Sequence, residues 1–299
     1  MKRTALLALL AAGSFACGTS SPPPGFTPDA SSPTTPASPS GDDDGGVNLT
    51  PGFDGSLGGG TVDSSSSNQI AIVYGESPDT LYSLDPDTKA VSVVGVFSGC
   101  TGVEDIALDK DSNMYGTTSD GLYAIDRTSA KCTLIATGTY PNSLSFVPAG
   151  TLDPNVEALV GYNGSDYVRI DPTSGVVTTV GSIGSGLSSS GDIVSVIGGS
   201  TYLTVTGTGC ETDDCLIEVD PKTGALVKNW KSVGHIAVYG LSFWAGSLYG
   251  FDDGGDLFEI DLTNGVLTTT TIAVPNPPLG LEFWGAGSTT SAPVSPPVK

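Results

Sequence analysis

The chain has a single histidine, His235, and only 11 lysine and arginine residues among its 299. One histidine argues against His-rich metal sites and against most His-dependent catalysis. Acidic residues outnumber basic ones 32 to 11, which gives a net charge of −21. A field of that sign repels phosphates, so nucleic acid is excluded as a partner. No Ser-His-Asp set, phosphate-binding glycine loop or nucleotide fingerprint is present in the sequence.

Long hydrophobic runs are also lacking, because the apolar stretch at residues 5–12 is too short to cross a bilayer as a helix. Two basic residues precede it and small residues follow it up to Cys17, which is the layout of a secretory signal. The segment resembles the lipobox of bacterial lipoproteins, although Ser14 stands where leucine is usual. The alternative is a freely secreted protein, cut by an ordinary signal peptidase.

Cysteine parity favours the lipoprotein interpretation. Five cysteines leave one unpaired in an exported chain, whereas lipidation of Cys17 leaves an even set of four. The resemblance implies a signal peptide over residues 1–16, removed before an acylated Cys17. Gly18 after this cysteine resembles lipoproteins that are sent to the outer membrane. The predicted location is therefore the outer membrane of a bacterial envelope, on its periplasmic or surface face.

The region after the signal predicts a tether. Residues 17–67 are rich in proline, serine, glycine and aspartate and have no apolar periodicity. Such a composition cannot bury enough apolar surface to offset the entropy of ordering, so we expect it to be disordered. The domain boundaries that follow are a propeller over residues 68–287 and a disordered tail over 288–299.

A repeat occupies the remainder of the chain. Each unit has an apolar strand that ends in aspartate, then a Pro, Ser, Thr or Gly-rich turn and a β-branched run, which predicts a hairpin. Aspartate side chains accept hydrogen bonds from turn amides, so we interpret the repeated aspartates as turn formers rather than ligands. Their intervals are 41, 45, 49 and 41 residues, and they are Asp85, Asp126, Asp171, Asp220 and Asp261.

Two more strand-like runs precede each hairpin except the first, which lacks one strand. Four strands at this period, without any helical stretch, are typical of a β-propeller. The missing strand is supplied at the other end of the chain, where residues 280–285 match residues 240–245 as Gly-Leu-x-Phe-Trp. The sequence therefore predicts an all-β fold, a five-bladed propeller closed by its carboxy-terminal strand.

This pattern resembles the bacterial propellers with LYxIDPxTG-type repeats, which include streptogramin-lyase-like, NHL-like and YVTN-type proteins. The resemblance covers about residues 69–287 and implies the fold. It implies little about activity, because those relatives include enzymes, binding proteins and scaffolds.

Four cysteines lie in the predicted propeller and allow three pairings. The set Cys100–Cys132 and Cys210–Cys215 is favoured because it keeps each bridge local. The first bridge would join neighbouring outer edges, and the second would close a hairpin loop.

Ligands of propellers usually lie over the central channel, where the chain enters each innermost strand. For the first blade the alignment places Leu279 and Gly280 there. No cofactor is expected, because ordinary loop polarity is favoured at these positions. The alternative is that oxygen ligands from several blades bind a hard cation such as calcium. The candidate metal ligands are Glu104, Asp105 and Asp192, and the candidate ligand-binding residues are Glu104, Asp105, Asn142, Asp192 and Tyr239.

Two residues are candidates for catalysis. Glu282 aligns one step deeper in the channel, where the other blades have small residues. His235 lies before the innermost strand of the fifth blade, and in the streptogramin-lyase-like relatives a histidine acts as a base near a bound metal. Ordinary structural roles are favoured for both.

Taken with the anchor, these features favour a lipid-anchored extracytoplasmic binding or interaction module over an enzyme. The expected partners are the membrane, through the lipid, and an envelope protein, a glycan or a small ligand. Two alternatives stay open, a divalent-metal-dependent lactonase or lyase at the channel mouth and a purely structural surface module.

Overall fold

The computed structural model describes residues 73–296, which form five antiparallel four-stranded sheets arranged in a ring. The prediction of a five-bladed β-propeller is confirmed. Within these residues the single helical element is the short 3-10 turn Thr263–Gly265, and none of their helices is long and apolar enough to cross a membrane. The predicted signal, Cys17 and the tether lie outside the described residues.

We number the sheets as blades 1 to 5 in chain order and give their strands from the axis outward. Blade 1 contains β20 (Gly285–Gly287), β1 (Val73–Glu76), β2 (Thr80–Asp85) and β3 (Ala90–Val96). Blade 2 contains β4 (Val103–Leu108), β5 (Met114–Thr118), β6 (Gly121–Asp126) and β7 (Lys131–Thr137). Blade 3 contains β8 (Leu144–Val147), β9 (Ala158–Asn163), β10 (Asp166–Ile170) and β11 (Val177–Ser182).

The last two blades follow the same order. Blade 4 contains β12 (Leu187–Ser195), β13 (Thr201–Gly207), β14 (Cys210–Val219) and β15 (Leu226–Ser232). Blade 5 contains β16 (Val238–Trp244), β17 (Ser247–Asp252), β18 (Leu257–Asp261) and β19 (Thr268–Ile272). Consecutive strands are antiparallel, so their connections fall alternately at two ends of the ring. We call the end where the chain enters each innermost strand the entrance end, and the other the exit end.

The ring closes as the sequence predicts, because carboxy-terminal β20 pairs with β1 as the innermost strand of blade 1. The predicted register is wrong. Ala286 pairs with Gly75 as Leu241 pairs with Gly250, so the strand lies five residues beyond the aligned position. The segment before it is used for packing instead, since Phe283 is fully buried against Tyr82 and Phe251.

Apolar side chains fill the spaces between adjacent blades. Between blades 1 and 2, for example, Tyr74 and Leu81 pack with Ile106, Leu108 and Met114, and all five are buried. Each blade buries both faces against its neighbours, and burial of apolar area at about 25 cal/mol per Å² is the main stabilising contribution of such interfaces. The core is therefore a ring of interfaces around a central channel.

The repeated aspartates form turns, as the sequence predicts. Asp171 Oδ1 accepts the backbone N–H groups of Thr173 and Ser174 at 2.8 and 3.0 Å, and Asp126 binds its own turn in the same way. These bonds stabilise the ionised form, and bonds from Thr173 lower the pKa of Asp171 to about 2. The same chemistry repeats in every blade and sets the outer hairpins.

Both predicted disulfide bonds are present, Cys100–Cys132 and Cys210–Cys215. The first joins the connection between blades 1 and 2 to the outer strand of blade 2, where Ser98 pairs with Lys131 in a parallel bridge. The second closes an irregular stretch at the start of β14.

Residues 288–292 cross the exit end of the ring, where the sequence predicts a disordered tail. Thr289 Oγ1 donates to the carbonyl of Asp109 in blade 2, and Thr290 Oγ1 contacts Glu157 in blade 3. The carbonyl of Thr290 accepts the N–H of Ile197 in blade 4. These threonines are buried and hydrogen-bonded, so their polar composition does not prevent order. The segment covers the channel at this end.

Candidate functional site

Five residues occupy equivalent positions at the mouth of the channel. Each of them comes one residue before the point where the innermost strand of its blade begins to follow the channel axis. The pairing of the innermost strands with their neighbours fixes this position. Their side chains differ from blade to blade. We call this set the entrance ring, and it consists of Trp284, Glu104, Asn142, Gly191 and Tyr239 for blades 1 to 5.

A cavity of about 350 Å³ opens at the entrance ring. It is within the size range of pockets that bind small molecules. Four blades contribute side chains, whereas Gly191 of blade 4 leaves room for the backbone of Val238 and Tyr239. The lining residues are Glu104, Tyr140, Pro141, Asn142, Asn163, Tyr239 and Trp284.

Three aromatic residues and one carboxyl group share the lining of this cavity. Tyr140, Tyr239 and Trp284 line it together with Glu104. Burial raises the pKa of Glu104, and burial together with the nearby carboxylates of Asp253 and Asp214 raises the pKa of Tyr239. The electron-rich ring faces and the carboxyl group both attract cations. The cavity therefore suits a positively charged group.

A second ring of residues lies one position deeper. Two of its members are acidic and fully buried, Asp105 in blade 2 and Asp192 in blade 4. We call this set the inner ring, and it consists of Gly285, Asp105, Ser143, Asp192 and Gly240 for blades 1 to 5.

The two inner-ring aspartates bond blade 2 to blade 3 and blade 4 to blade 5. Asp105 Oδ2 accepts the N–H of Leu144 in blade 3 at 2.6 Å, and Asp192 Oδ2 accepts the N–H of Leu241 in blade 5 at 2.8 Å. Their other oxygens accept the N–H groups of the residues that follow them. Burial raises the pKa of both carboxyl groups, and for Asp105 the charge of Asp192 raises it further.

A third carboxyl group reaches the same place from the second strand of blade 1. Glu76 pairs with Gly285 across β1 and β20 and is fully buried. Neither of its carboxylate oxygens has a hydrogen-bond partner among the described residues. Burial and the charge of Asp105 raise the pKa of Glu76. The equivalent residues in blades 2 and 4 are threonines, which donate to the carbonyls of the next blade.

His235 lies apart from these rings, in the connection between blades 4 and 5. Its Nδ1 is 2.8 Å from Asp252 Oδ2, and its ring stacks on Phe258 with centroids 3.8 Å apart. Asp256 completes a group whose ligand atoms lie within 4.8 Å of one another. Asp252 is held by the backbone N–H of Asp256, which fixes the carboxylate that orients the histidine.

The predicted position of Glu282 in the channel is wrong. Glu282 is exposed and lies in the connection before β20, beside the loop that joins β1 and β2. Because β20 starts at Gly285, the residue that occupies the deeper step in blade 1 is Gly287. Leu279 and Gly280 likewise lie before the two rings, and in blade 1 Trp284 takes the entrance-ring position and Gly285 the inner-ring position.

The other sequence candidates are brought together. Glu104, Asn142 and Tyr239 line the cavity, and Asp105 and Asp192 lie directly beneath it. The sequence missed Trp284 because the Gly-Leu-x-Phe-Trp motif shared with blade 5 places the closing strand five residues before its true position. It missed Glu76 because the candidates were sought on the innermost strands, where Asp105 and Asp192 lie, whereas Glu76 is on the second strand of its blade. The shared Tyr-Gly pair of β1, β5 and β17 would have aligned Glu76 with Thr117 and Phe251 of the other second strands.

Charge is distributed unevenly between the two ends of the propeller. The ten connections at the entrance end, all within the described residues, contain no lysine or arginine. Those at the exit end contain Lys89, Lys110, Arg127 and Lys222 among their acids. The acidic residues in the entrance-end connections are Asp79, Asp120, Asp253, Asp256 and Glu282.

A family model described as a repeat of unknown function (DUF6923) matches residues 156–291, which run from β9 of blade 3 through blades 4 and 5 to β20. No curated protein matches the chain in sequence. The match and the fold together make the chain a β-propeller repeat protein.

Several solved structures are similar to the chain at low identity. A symmetrical protein of de novo evolutionary emergence is 16% identical, covering 73% of this chain and 94% of its own, with a TM-score of 0.44. A chain of the nidogen/laminin complex is 12% identical, covering 73% and 81%, with a TM-score of 0.45. A gluconolactonase from Xanthomonas campestris is 14% identical, covering 58% and 64%, with a TM-score of 0.41. At these values the likeness does not extend to activity.

Proposed function

We propose that the chain is a lipid-anchored extracytoplasmic binding module whose propeller holds a cationic group of its partner at the entrance ring. The observation that carries the proposal is that Glu104 lines the same cavity as Tyr140, Tyr239 and Trp284. The cationic group is an ammonium or guanidinium, presented by a small ligand or by a lysine or arginine side chain of an envelope protein.

The chemistry of the cavity supports a cation with an organic body. Ammonium and guanidinium groups bind to aromatic faces with about 0.5 to 2 kcal/mol each, and a partly desolvated carboxylate adds charge. Asn142 and Asn163 line the rim and supply amide oxygens and N–H groups for orientation. An anion would meet Glu104 and, beneath it, the buried acids Asp105 and Asp192.

The charge of the entrance end supports the same ligand class. Its connections are acidic and free of lysine and arginine throughout the described range. A surface of one sign attracts ligands of the opposite sign and raises their association rate. Residues 288–292 cross the exit end, where the buried Thr290 accepts the N–H of Ile197, whereas the cavity opens at the entrance ring.

The anchor is supported by the sequence alone. Acylation of Cys17 would hold the chain at the membrane, and a tether over residues 17–67 would extend for about 40 Å as a flexible coil. The propeller could then sample partners at that distance from the bilayer. Mass spectrometry of the mature amino terminus tests this part, and an unmodified Cys17 would refute it.

Binding is tested by titration calorimetry of the mature chain with N-acetyl-lysine methylamide and N-acetyl-arginine methylamide. The neutral isostere N-acetyl-norleucine methylamide is the ligand control. We expect the cations to bind more tightly, and Glu104→Gln and Trp284→Leu each to weaken them about tenfold. Trp284→Phe should retain part of the affinity because it keeps an aromatic face.

Glu282→Gln is the matched control, because this exposed acid lies at the same end but outside the cavity. Its affinity should equal that of the unmodified chain. Equal binding of the neutral isostere, or an unchanged affinity in Glu104→Gln, would contradict the proposal.

A further inference from the structure

The single histidine of the chain faces two aspartates of blade 5. His235 Nδ1 lies 2.8 Å from Asp252 Oδ2, and a carboxylate oxygen of Asp256 completes a group of three ligand atoms within 4.8 Å of one another. Among the described residues, this is the one group of metal-ligating side chains that meets such a spacing. Asp252 ends β17 and Asp256 directly precedes β18, so one turn supplies both carboxylates.

Backbone contacts fix the turn that carries the carboxylates. The N–H of Asp256 donates to Asp252 Oδ1 at 2.9 Å, which leaves Oδ2 facing the imidazole. Gly255 has a φ of +83° and packs against the Leu281 carbonyl oxygen, where an added Cβ would come within 2.5 Å. The N–H of Phe283 donates to the Asp252 carbonyl at 3.1 Å. The segment that leads to the closing strand β20 therefore holds this turn in place.

The imidazole is held as well. Its ring stacks on the fully buried Phe258, with centroids 3.8 Å apart and planes inclined by 8°. The His235 carbonyl accepts the N–H of Asp214 in blade 4 at 2.8 Å, which positions the backbone. The side chains of His235 and Asp252 are only 18% and 8% exposed, whereas Asp256 lies at the surface. The group is thus ordered by its neighbours and open to water at Asp256.

The surroundings of the group favour a cation. Two further acids stand near it, Asp253 in the same turn and Glu282 in the segment before β20. The connections at this end contain no lysine or arginine within the described range. His235 is the one side chain among the described residues that forms an ion pair with either ligating aspartate. A bound metal ion would supply the positive charge that the neighbouring sequence lacks.

We propose that His235, Asp252 and Asp256 bind one divalent metal ion of the zinc class, with water as the fourth ligand. Imidazole nitrogen and carboxylate oxygen are ligands that zinc accepts, and three protein ligands with one water form a common zinc site. Two ligand atoms on one tetrahedral zinc lie about 3.4 Å apart. The three atoms here lie within 4.8 Å of one another, so small side-chain shifts suffice to seat the ion.

The position of the site gives the ion a structural role. His235 belongs to the connection between blades 4 and 5, and the aspartates belong to the turn that contacts the segment before β20. One ion therefore joins that connection to the turn beside the closing segment. The three ligands are outside the lining of the cavity at the entrance ring, so the site is independent of the proposed binding of an organic cation.

Proton NMR of the untagged mature chain tests the proposal, because one histidine gives one pair of carbon-bound imidazole protons. After metals are removed with a chelator, zinc chloride in small molar excess should shift both signals. Calcium chloride at the same concentration should leave them in place, because calcium takes six to eight oxygen ligands. Imidazole signals that do not respond to zinc, or that respond equally to calcium, would overturn the proposal.

Two exposed acids of the same turn provide a matched pair of variants, Asp256→Asn and Asp253→Asn. Each removes one negative charge, but only the first removes a proposed ligand. Asp256→Asn should weaken zinc binding about tenfold or more, whereas Asp253→Asn should weaken it little. Equal zinc affinity of the two variants would show that the turn attracts zinc by charge alone and would overturn the three-ligand site.

Thermal unfolding gives a second measurement. At free zinc of about 100 times its Kd, the melting temperature of the unmodified chain should rise by about 5 °C. Asp253→Asn should keep the rise and His235→Gln should lose it. A rise of the same size in His235→Gln would overturn the assignment to this site. The NMR titration uses the unmodified chain, so the test stands whether or not His235→Gln folds. Calorimetry with the lysine probe in chelator reports separately on the cavity at the entrance ring.

Discussion

Gly285 faces Glu76 across the innermost strand pair of blade 1, and its missing side chain leaves the space that the Glu76 carboxyl group occupies. In blades 2 and 4 the arrangement is reversed, since the innermost strand supplies the acid and the second strand a threonine, as in Asp105 opposite Thr117. The closing blade thus contributes an axial acid by a different route from the rest of the ring.

This relationship predicts that Gly285→Ala destabilises the propeller by about 2 kcal/mol, because the added methyl group would overpack a buried site. Urea unfolding measures the change in free energy. The matched control is Gly95→Ala on β3, where an added Cβ would come no closer than 3.5 Å, to the Ser129 carbonyl oxygen. Adding Glu76→Ala to Gly285→Ala should recover part of the loss, and strict additivity of the two substitutions would refute the contact.

The interface between blades 3 and 4 predicts that removal of the Tyr162 hydroxyl lowers the free energy of unfolding. Tyr162 is fully buried, and its hydroxyl donates to the Gly224 carbonyl in the outer turn of blade 4 at 2.8 Å. Tyr162→Phe leaves that carbonyl without its donor and should lower the free energy of unfolding by about 1 kcal/mol. Tyr123→Phe, at a half-buried ring on β6, is the control and should change it little. A loss of the same size in both variants would contradict the role of the bond.

The sequence predicts the blades because their turns repeat a local chemistry. Asp171 and its equivalents bind the amides of their own turns, so spacing and residue type suffice to find them. The closing strand was harder, since its register depends on packing of Phe283 between blades 5 and 1. Glu76 is axial only because Gly285 stands opposite, and that pairing joins residues from the two ends of the propeller.

The two disulfide bonds predict unequal losses of stability. Cys100 and Cys132 are 32 residues apart, whereas Cys210 and Cys215 are 5 apart. A longer closed loop restricts the unfolded chain more, so removing the first bridge should cost about 4 kcal/mol and removing the second about 2 kcal/mol. Paired Cys→Ala variants, compared by urea unfolding, measure both. Equal losses, or a larger loss at the short loop, would refute the loop-length explanation.

The turn aspartates predict a loss of stability in acid. Bonds from Thr173 and Thr128 lower the pKa values of Asp171 and Asp126 in the folded chain, that of Asp171 to about 2. A group with a lowered folded pKa contributes stability above its ordinary pKa near 4 and loses it as the pH falls through the folded value. Asp171→Asn should therefore be less stable than the unmodified chain at neutral pH, and the difference should shrink between about pH 4 and pH 2. Melting temperatures of the two chains across this range measure it, and taking their difference cancels the titration of the buried acids. A difference that stays constant over the range would show that the Asp171 charge does not stabilise its turn.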